Sequence, residues 1–498
     1  MRIIYFDIDS LRPDHLGCYG YHRNTSPTID TIASEGIRFN NCYTSDAPCG
    51  PSRSALLTGQ FGIHNGLIAH ADSAGDMFRE GVGRWFYSEL GDTCWANQFR
   101  KAGLKTVSIT PYAERHSIWQ WYAGYNEIYN TGKMGEESAE DITPVALDWL
   151  KRNGKDDNWF IHINLWDPHT PYRVPKEYGE PFKDDPLPEW YTEEVRQKHW
   201  EGAGSWSAQE GLGYGGEHPY NDPEKYPRQP SQISSMKEAR KMFDGYDTGV
   251  KYTDDNIKMI IDELKKQNLY EDTAIIISAD HGENLGEMNI YYDHQTADGV
   301  TPRVPFILKW PGVTDKLKGK SYDAFHYQFD LGASLVELAG SKVPKNWDAK
   351  SFANNLKADM DEGRDYLVLS QGAHTCQRSV RFGDYVCIRS YHDGYHNYPD
   401  FMLFNLKDDP HEQNNLAEEK PELVNQAMKY LEEWHGDMMR TAKHPQDPMW
   451  FVMKEGGPMH TRLGIKDYIK RLKETGREKQ AEIMISKHPE LAEEKNEV

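Results

Sequence analysis

The chain has 498 residues, 38% of them hydrophobic and 12% aromatic, which suits a folded protein with one large core plus a smaller unit and argues against disorder. Its 78 acidic and 57 basic residues leave a net charge of −21. An acidic surface repels nucleic acid and anionic lipid, which excludes DNA, RNA and the membrane surface as expected partners.

The first element in chain order is the apolar run Ile3–Phe6, which reads as a buried strand. It is too short for the core of a signal peptide and meets Asp7 and Asp9 at once, so neither a secretory leader nor a transmembrane stretch is expected. Thr106–Ile109, Phe160–Leu165 and Ala274–Ser278 have the same character, while Ile257, Ile260, Ile261 and Leu264 repeat at helical spacing. Such alternation predicts an α/β fold, a large mostly parallel sheet sandwiched by helices. Functional sites of these sheets gather at the carboxyl ends of strands. Asp9, Asp167–His169 and Asp280–His281 each follow a strand, so the three clusters are expected on one rim.

Residues from about 171 to 234 have no clear period and carry Tyr172, Trp190, Tyr191, Trp200, Trp206, Tyr214 and Tyr220. The stretch predicts an ordered lid. With Trp119, Trp121 and Tyr122 its rings suit either stacking surfaces for a sugar or aromatic ring, or a satellite core. After residue 365 come the β-rich segments Tyr366–Ser370 and Ser379–Arg389, a turn at Asp408-Asp409-Pro410 and a helix over about Pro421–His435. The expected division is a catalytic domain over 1–365 and a smaller C-terminal α+β subdomain over 366–498, with a small antiparallel sheet. The charged helical tail is expected to wrap the body or to pair with a second copy as a homo-oligomer. Six cysteines are too few for a disulfide framework, which points to reduced thiols and a cytoplasmic location.

The chemistry concentrates in Cys49-Gly50-Pro51-Ser52-Arg53-Ser54-Ala55-Leu56-Leu57-Thr58-Gly59. Pro51 suits a first helical turn and Gly59 the position after the last. Cys49 therefore sits by a helix N-terminus, which favours anions and, with Arg53 one turn on, is expected to depress the thiol pKa.

This segment resembles the signature of the formylglycine-dependent sulfatases, in the alkaline phosphatase-like superfamily: Cys-x-Pro-Ser-Arg followed by Thr-Gly. The likeness extends to Phe6–Asp14, Gly17–Gly20, Ser26–Asp30, Gly36–Phe39, Lys309–Gly312, Leu403–Leu406 and Asn414–Leu416, leaving only the extreme C-terminal tail outside. It implies that a maturation enzyme oxidises Cys49 to formylglycine (3-oxoalanine). One hydroxyl of the hydrated aldehyde attacks sulfur and the other later expels sulfate.

The resemblance also implies a divalent cation on Asp9, Asp280, His281 and modified Cys49. Ca²⁺ is the first expectation, with Mg²⁺, Mn²⁺ or Zn²⁺ as alternatives, because His281 adds nitrogen to an oxygen site where many relatives carry an amide. Asp7, on the same strand face as Asp9, is either a further ligand or a buried carboxylate. Arg53 is assigned to hold nucleophile and oxyanion, and His169 to protonate the leaving group. The family's central Lys-x-His segment is missing. In its place Arg115 is the candidate sulfate binder, and His116 the candidate, with Asp280, for proton transfer at the aldehyde. His294 stands where a second family lysine is expected, in the substrate pocket. The implied reaction is hydrolysis of a small aryl or carbohydrate sulfate. The alternatives are a phosphonate monoester or phosphodiester hydrolase with the same machinery, or a non-catalytic protein that binds sulfated glycans.

Overall fold

Ile3, Ile4, Tyr5, Phe6 and Ile8 are all fully buried, as a central strand requires, and Arg2–Ile8 lies in the middle of an eight-stranded sheet. The computed structural model describes residues 1–81, 85–207 and 224–491, so Tyr214 and Tyr220 lie outside the described residues. The strand order is Lys320–Tyr322, Ile37–Phe39, Phe306–Lys309, Thr273–Ala279, Arg2–Ile8, Trp159–Leu165, Lys105–Ile109 and Glu127–Tyr129. Phe306–Lys309 runs antiparallel to its two neighbours, and the other pairings in the sheet are parallel. All four expected strands are present with one or two residues added at their ends.

The register decides where the chemistry lies. Ile8 pairs with Leu165 on one side and Ala279 on the other, so three parallel strands end level. The next residues, Asp9, Trp166 and Asp280, therefore emerge together at the carboxyl edge.

The 31-residue helix Met236–Lys266 starts at Ser235, whose side chain accepts from the Glu238 amide, and buries Ile257, Ile260, Ile261 and Leu264. Its buried Asp247 accepts hydrogen bonds from the Tyr21 hydroxyl and Arg23 Nη1, both at 2.7–2.8 Å, and meets His15 Nδ1 at 2.6 Å. These bonds pin the loop that follows the first strand.

A second sheet has the order Phe401–Asn405, Tyr385–His392, Cys376–Phe382, Tyr366–Gln371 and Asp46–Ala47. Its four C-terminal strands form an antiparallel meander, but Asp46–Ala47 joins Tyr366–Gln371 in parallel. The C-terminal sheet is thus stitched to the chain two residues before Cys49. The helix expected to end near His435 continues from Pro421 to Thr441, because Leu431, Trp434, Met438 and Met439 keep its apolar stripe on this sheet.

The aromatic stretch packs into the main core, with Tyr172 and Tyr191 inside it and Trp190 against it. Tyr191 and Tyr291 share a hydroxyl hydrogen bond of 2.7 Å, Trp200 stacks on Trp206 at 3.6 Å, and Tyr172 donates to Glu283 at 2.7 Å. Trp121 is fully buried and offers no stacking face, whereas Trp119 is 57% exposed. The tail wraps the body through helices Met449–Lys454, Met459–Arg462, Ile465–Glu474 and Glu478–Lys487. Among the described residues no helix is long and apolar enough to cross a membrane.

The tail is anchored by Asp447, whose two oxygens take both terminal nitrogens of buried Arg378 at 2.7 and 2.9 Å. Burial opposes a charged Asp447, yet Arg378 foremost holds its carboxyl well below the usual range. Asp447→Ala strands a buried guanidinium and is expected to cost about 3–5 kcal/mol in urea denaturation. A depressed carboxyl pKa stabilises the fold above the unfolded value, so this contribution is full above about pH 4 and is lost as pH falls below it. A loss below about 1 kcal/mol at pH 7 contradicts the anchor.

Candidate active site

The ten-residue helix Cys49–Thr58 is buried along its whole length, with Pro48 before it and Gly59 after it. Gly59 has φ of 65°, and a Cβ there would lie 2.1 Å from the Trp347 ring, so only glycine closes this helix. Ser52 Oγ donates to the Asp280 carbonyl at 2.6 Å, which fixes the helix start against the end of the Thr273–Ala279 strand. Cys49 Sγ then lies 3.1 Å from His281 Nε2.

The thiol pKa runs opposite to the expectation from sequence. Burial, followed by the charges of Asp9 and Asp280, pushes it well up and outweighs Arg53 and Arg115. The helix N-terminus faces the Asp9 and Asp280 carboxylates as well as amides, and the expectation from sequence weighed only the amides and Arg53.

Arg53 is the centre of the charge arrangement. Its Nε and Nη2 donate to Asp7 at 2.8 and 3.2 Å, and its Nη1 donates to Asp9 at 3.0 Å and to Asp280 at 2.6 Å. Its guanidinium also lies 4.7 Å from the Tyr112 ring centroid. Asp7 is thus engaged by Arg53 and by His162 Nε2 at 3.1 Å, and it is not among the clustered donors described below. One cation serves three buried carboxylates unequally. Burial opposes ionisation of Asp9, yet Arg53, then His169 and His281, carry it well below the usual range. Asp280 is pushed up to about 6 by burial, with Asp9 and Asp7 adding to it against Arg53.

The turn after the first strand is built to hold this pair. Ser10 has φ of 58°, an uncommon conformation for a residue with a side chain, and its amide donates to Asp280 at 3.1 Å while its hydroxyl donates to Asp9 at 3.1 Å. One donor atom from each of Asp9, Cys49, Asp280 and His281 lies within 4.8 Å of the others. Two carboxylates and an imidazole fit a divalent cation. His281 Nδ1 bonds the Gly282 carbonyl at 2.7 Å, which leaves the Nε2 lone pair facing the cluster.

His169 follows the Trp159–Leu165 strand, and its Nδ1 bonds the Thr170 carbonyl. Its Nε2 is therefore the nitrogen near the site, 4.0 Å from Asp9 Oδ1. Asp167 faces away and accepts from the Ala139 amide at 2.9 Å, capping the Ala139–Asn153 helix. Arg115 Cζ lies over the Trp166 ring, 3.6 Å from its centroid, and Nη1 donates to the Gly135 carbonyl at 3.3 Å. Its charge is felt at Asp9 and Cys49. His116 lies 5.2 Å from both the Tyr112 and the His70 rings. His294 lies 4.3 Å from His281 and 5.5 Å from His169.

Sequence reasoning missed three residues of this wall. His70, His374 and His460 join His116 and His294 in a continuous run of imidazoles: His294 to His374 is 5.7 Å, His374 to His460 is 4.4 Å and His460 to His70 is 5.2 Å between ring centroids. A Cβ on Gly50 would meet His70 Cδ2 at 3.3 Å, so the run ends beside the Cys49–Thr58 helix. Burial foremost, then neighbouring cations, lowers the pKa of His70, His116, His169, His294 and His374 well below the ordinary value. These three residues belong to segments far apart in the chain, and no spacing in the sequence signals them.

The family model described as Sulfatase matches residues 2–341, and that described as N-sulphoglucosamine sulphohydrolase, C-terminal, matches residues 286–436. An ulvan-active sulfatase of Formosa agariphila is 24% identical over 84% of this chain and 78% of its own length. An N-acetylglucosamine-6-O-sulfatase of Bacteroides thetaiotaomicron is 23% identical over 83% of this chain and 82% of its own. In fold, a solved structure holding its substrate D-glucosamine-2-N,6-O-disulfate superposes with a TM-score of 0.70 at 20% identity, covering 90% of this chain and 99% of the other. A phosphonate monoester hydrolase of Silicibacter pomeroyi superposes with a TM-score of 0.62 at 20% identity, covering 89% and 96%.

Proposed function

The chain belongs to the sulfatase family, and from that premise we propose that it releases inorganic sulfate from a carbohydrate sulfate ester. The nucleophile is made from Cys49, and a divalent cation is held by Asp9, Asp280, His281 and residue 49. The observation that carries the reading is the placement of Cys49, at a buried helix start and within 4.8 Å of the Asp9, Asp280 and His281 donors.

Once a maturation enzyme has converted Cys49 to formylglycine, residue 49 would supply a hydrated aldehyde as nucleophile, and the cation, with Ca²⁺ preferred, would supply positive charge against the ester oxygens. The remaining work belongs to the chain's own side chains. Arg53 keeps Asp9 and Asp280 fixed and charge-balanced. Arg115, held on Trp166, and His294 bind the sulfate oxygens. His169, oriented by the Thr170 carbonyl, gives its Nε2 proton to the leaving oxygen. His116 and Asp280 move protons at residue 49. The six unpaired cysteines suit the reducing cytoplasm.

A saccharide leaving group is supported by the carbohydrate esters in the relatives' names and by the run of imidazoles, whose ring nitrogens can pair with hydroxyls. His460→Ala is expected to lower kcat/KM about 10-fold on a sugar sulfate, the worth of one hydrogen bond, and to leave a small aryl sulfate unchanged. Equal losses on both remove His460 from the sugar subsite.

The reading is tested by sulfate release from glucosamine 6-O-sulfate and from an aryl sulfate, using protein co-expressed with a formylglycine-generating enzyme. Turnover of the aryl ester alone would replace the carbohydrate with an aryl substrate. The second reading, phosphonate monoester hydrolysis, is supported by the likeness in fold to the Silicibacter pomeroyi enzyme.

A further inference from the structure

The pocket holds a second set of donors that overlaps the first. Cys49, His281 and His294 each present one ligand atom, and these atoms also lie within 4.8 Å of one another. All three residues are buried. The two sets share Cys49 and His281 and differ in the rest: Asp9 and Asp280 complete the first, and His294 completes the second.

Three observations favour the sulfur–nitrogen set while Cys49 is still a thiol. First, the carboxylates are already engaged, because Arg53 Nη1 donates to Asp9 at 3.0 Å and to Asp280 at 2.6 Å. Second, His281 is preset as a ligand: its Nδ1 bonds the Gly282 carbonyl, so Nε2 carries the lone pair, and that lone pair faces Cys49 Sγ at 3.1 Å. Third, His294 is buried, and its Nδ1 has no hydrogen-bond partner among the described residues. A buried imidazole with an unused nitrogen bears a cost that a ligand would remove.

Thiolate and imidazole select Zn²⁺-type cations, whereas carboxylates select Ca²⁺ and Mg²⁺. We propose that the chemical state of Cys49 decides which cation the pocket takes: the intact thiol form binds a Zn²⁺-type ion through Cys49, His281 and His294, and loss of the sulfur abolishes that site. The binding step balances simply. The Cys49 S–H proton leaves to solvent, a sulfur–metal bond forms, and the two imidazoles coordinate as neutral ligands. Three protein donors leave one tetrahedral position open. The proposal rests on the reading of Cys49 as the residue that is modified, but its test does not depend on turnover.

Co²⁺ is the probe, titrated into the full chain expressed without a maturation enzyme, and sulfur-to-cobalt charge transfer is read in the near ultraviolet. One equivalent is expected to bring up the band in the thiol form. Cys49→Ser abolishes it, and His294→Ala weakens binding by at least about 10-fold. A band that persists in Cys49→Ser, or undiminished affinity in His294→Ala, overturns the site. X-ray absorption of the unmutated Zn²⁺-loaded chain gives a check that no variant's folding can disturb. A sulfur scatterer with nitrogen neighbours is expected, and a shell of oxygen alone overturns the proposal. That outcome leaves sulfate hydrolysis by the matured protein standing, just as a failure to release sulfate leaves the cobalt result standing.

Discussion

Arg53→Ala is expected to destabilise the protein by about 3–5 kcal/mol, the range for breaking a buried ion pair by removing one partner. Against a total stability of about 5–15 kcal/mol, that is a large fraction. The guanidinium is 1% exposed and bonds Asp7, Asp9 and Asp280, which are themselves at most 2% exposed. Truncation leaves three carboxylates in one low-dielectric pocket with no protein cation bonded to them. Asp280, already pushed up to about 6, is the group that takes a proton first. Arg53→Lys keeps a charge but cannot fork to three acceptors, so it should fall between the two. Added Ca²⁺ is expected to recover part of the loss in Arg53→Ala, since a divalent cation supplies the missing charge to Asp9 and Asp280. Urea denaturation with and without Ca²⁺ reads all of this. A variant within about 1 kcal/mol of the parent shows that Arg53 does not balance the cluster.

His169→Ala is expected to lower kcat on a sugar sulfate by about 10²–10⁴-fold, the usual contribution of a positioned proton donor. An alkoxide leaves badly without a proton, whereas a nitrophenolate needs little help. The same variant should therefore lose much less on a nitrophenyl sulfate. Burial foremost, then Arg115, Arg173 and His281, lowers the His169 pKa well below the ordinary value, with Asp9 working the other way. The imidazole is neutral at pH 7 in the free protein, and its protonated fraction grows as the pH falls. Accordingly kcat/KM on the sugar ester should rise as pH is lowered toward that pKa, and His169→Ala should lose this rise. Equal losses on both esters contradict the role of proton donor.

Much of the fold was legible because its central strands are apolar on both faces. Ile3–Phe6 and Ala274–Ser278 admit no half-exposed reading, and the strand-end positions of Asp9, Asp280 and His169 follow from them. The Cys49–Gly59 run was legible from local rules, Pro51 in the first turn and Gly59 at the close. What could not be read there is long-range. The thiol pKa went the wrong way because Asp9 and Asp280 arrive from strands 40 and more residues away in sequence. From sequence, Trp121 stays open between a stacking surface and a core ring, because composition does not distinguish a ring in a core from a ring on a rim. The edge strand Asp46–Ala47 has only two residues and no periodicity to detect. His460 reaches the site from the short Met459–Arg462 helix in the tail, beyond both matched family regions. Its ring meets His70 through a fold-back of 390 residues that no local pattern encodes.

The most direct test of the central claim is the initial rate of sulfate release from a sugar sulfate by protein matured with a formylglycine-generating enzyme. It is read beside the matched phosphonate monoester and against Cys49→Ala. Hydrolysis at residue 49 predicts sulfate release faster than phosphonate turnover and none above background in Cys49→Ala. Sulfate release that persists in Cys49→Ala, or phosphonate turnover that outpaces it in the matured protein, would contradict the account.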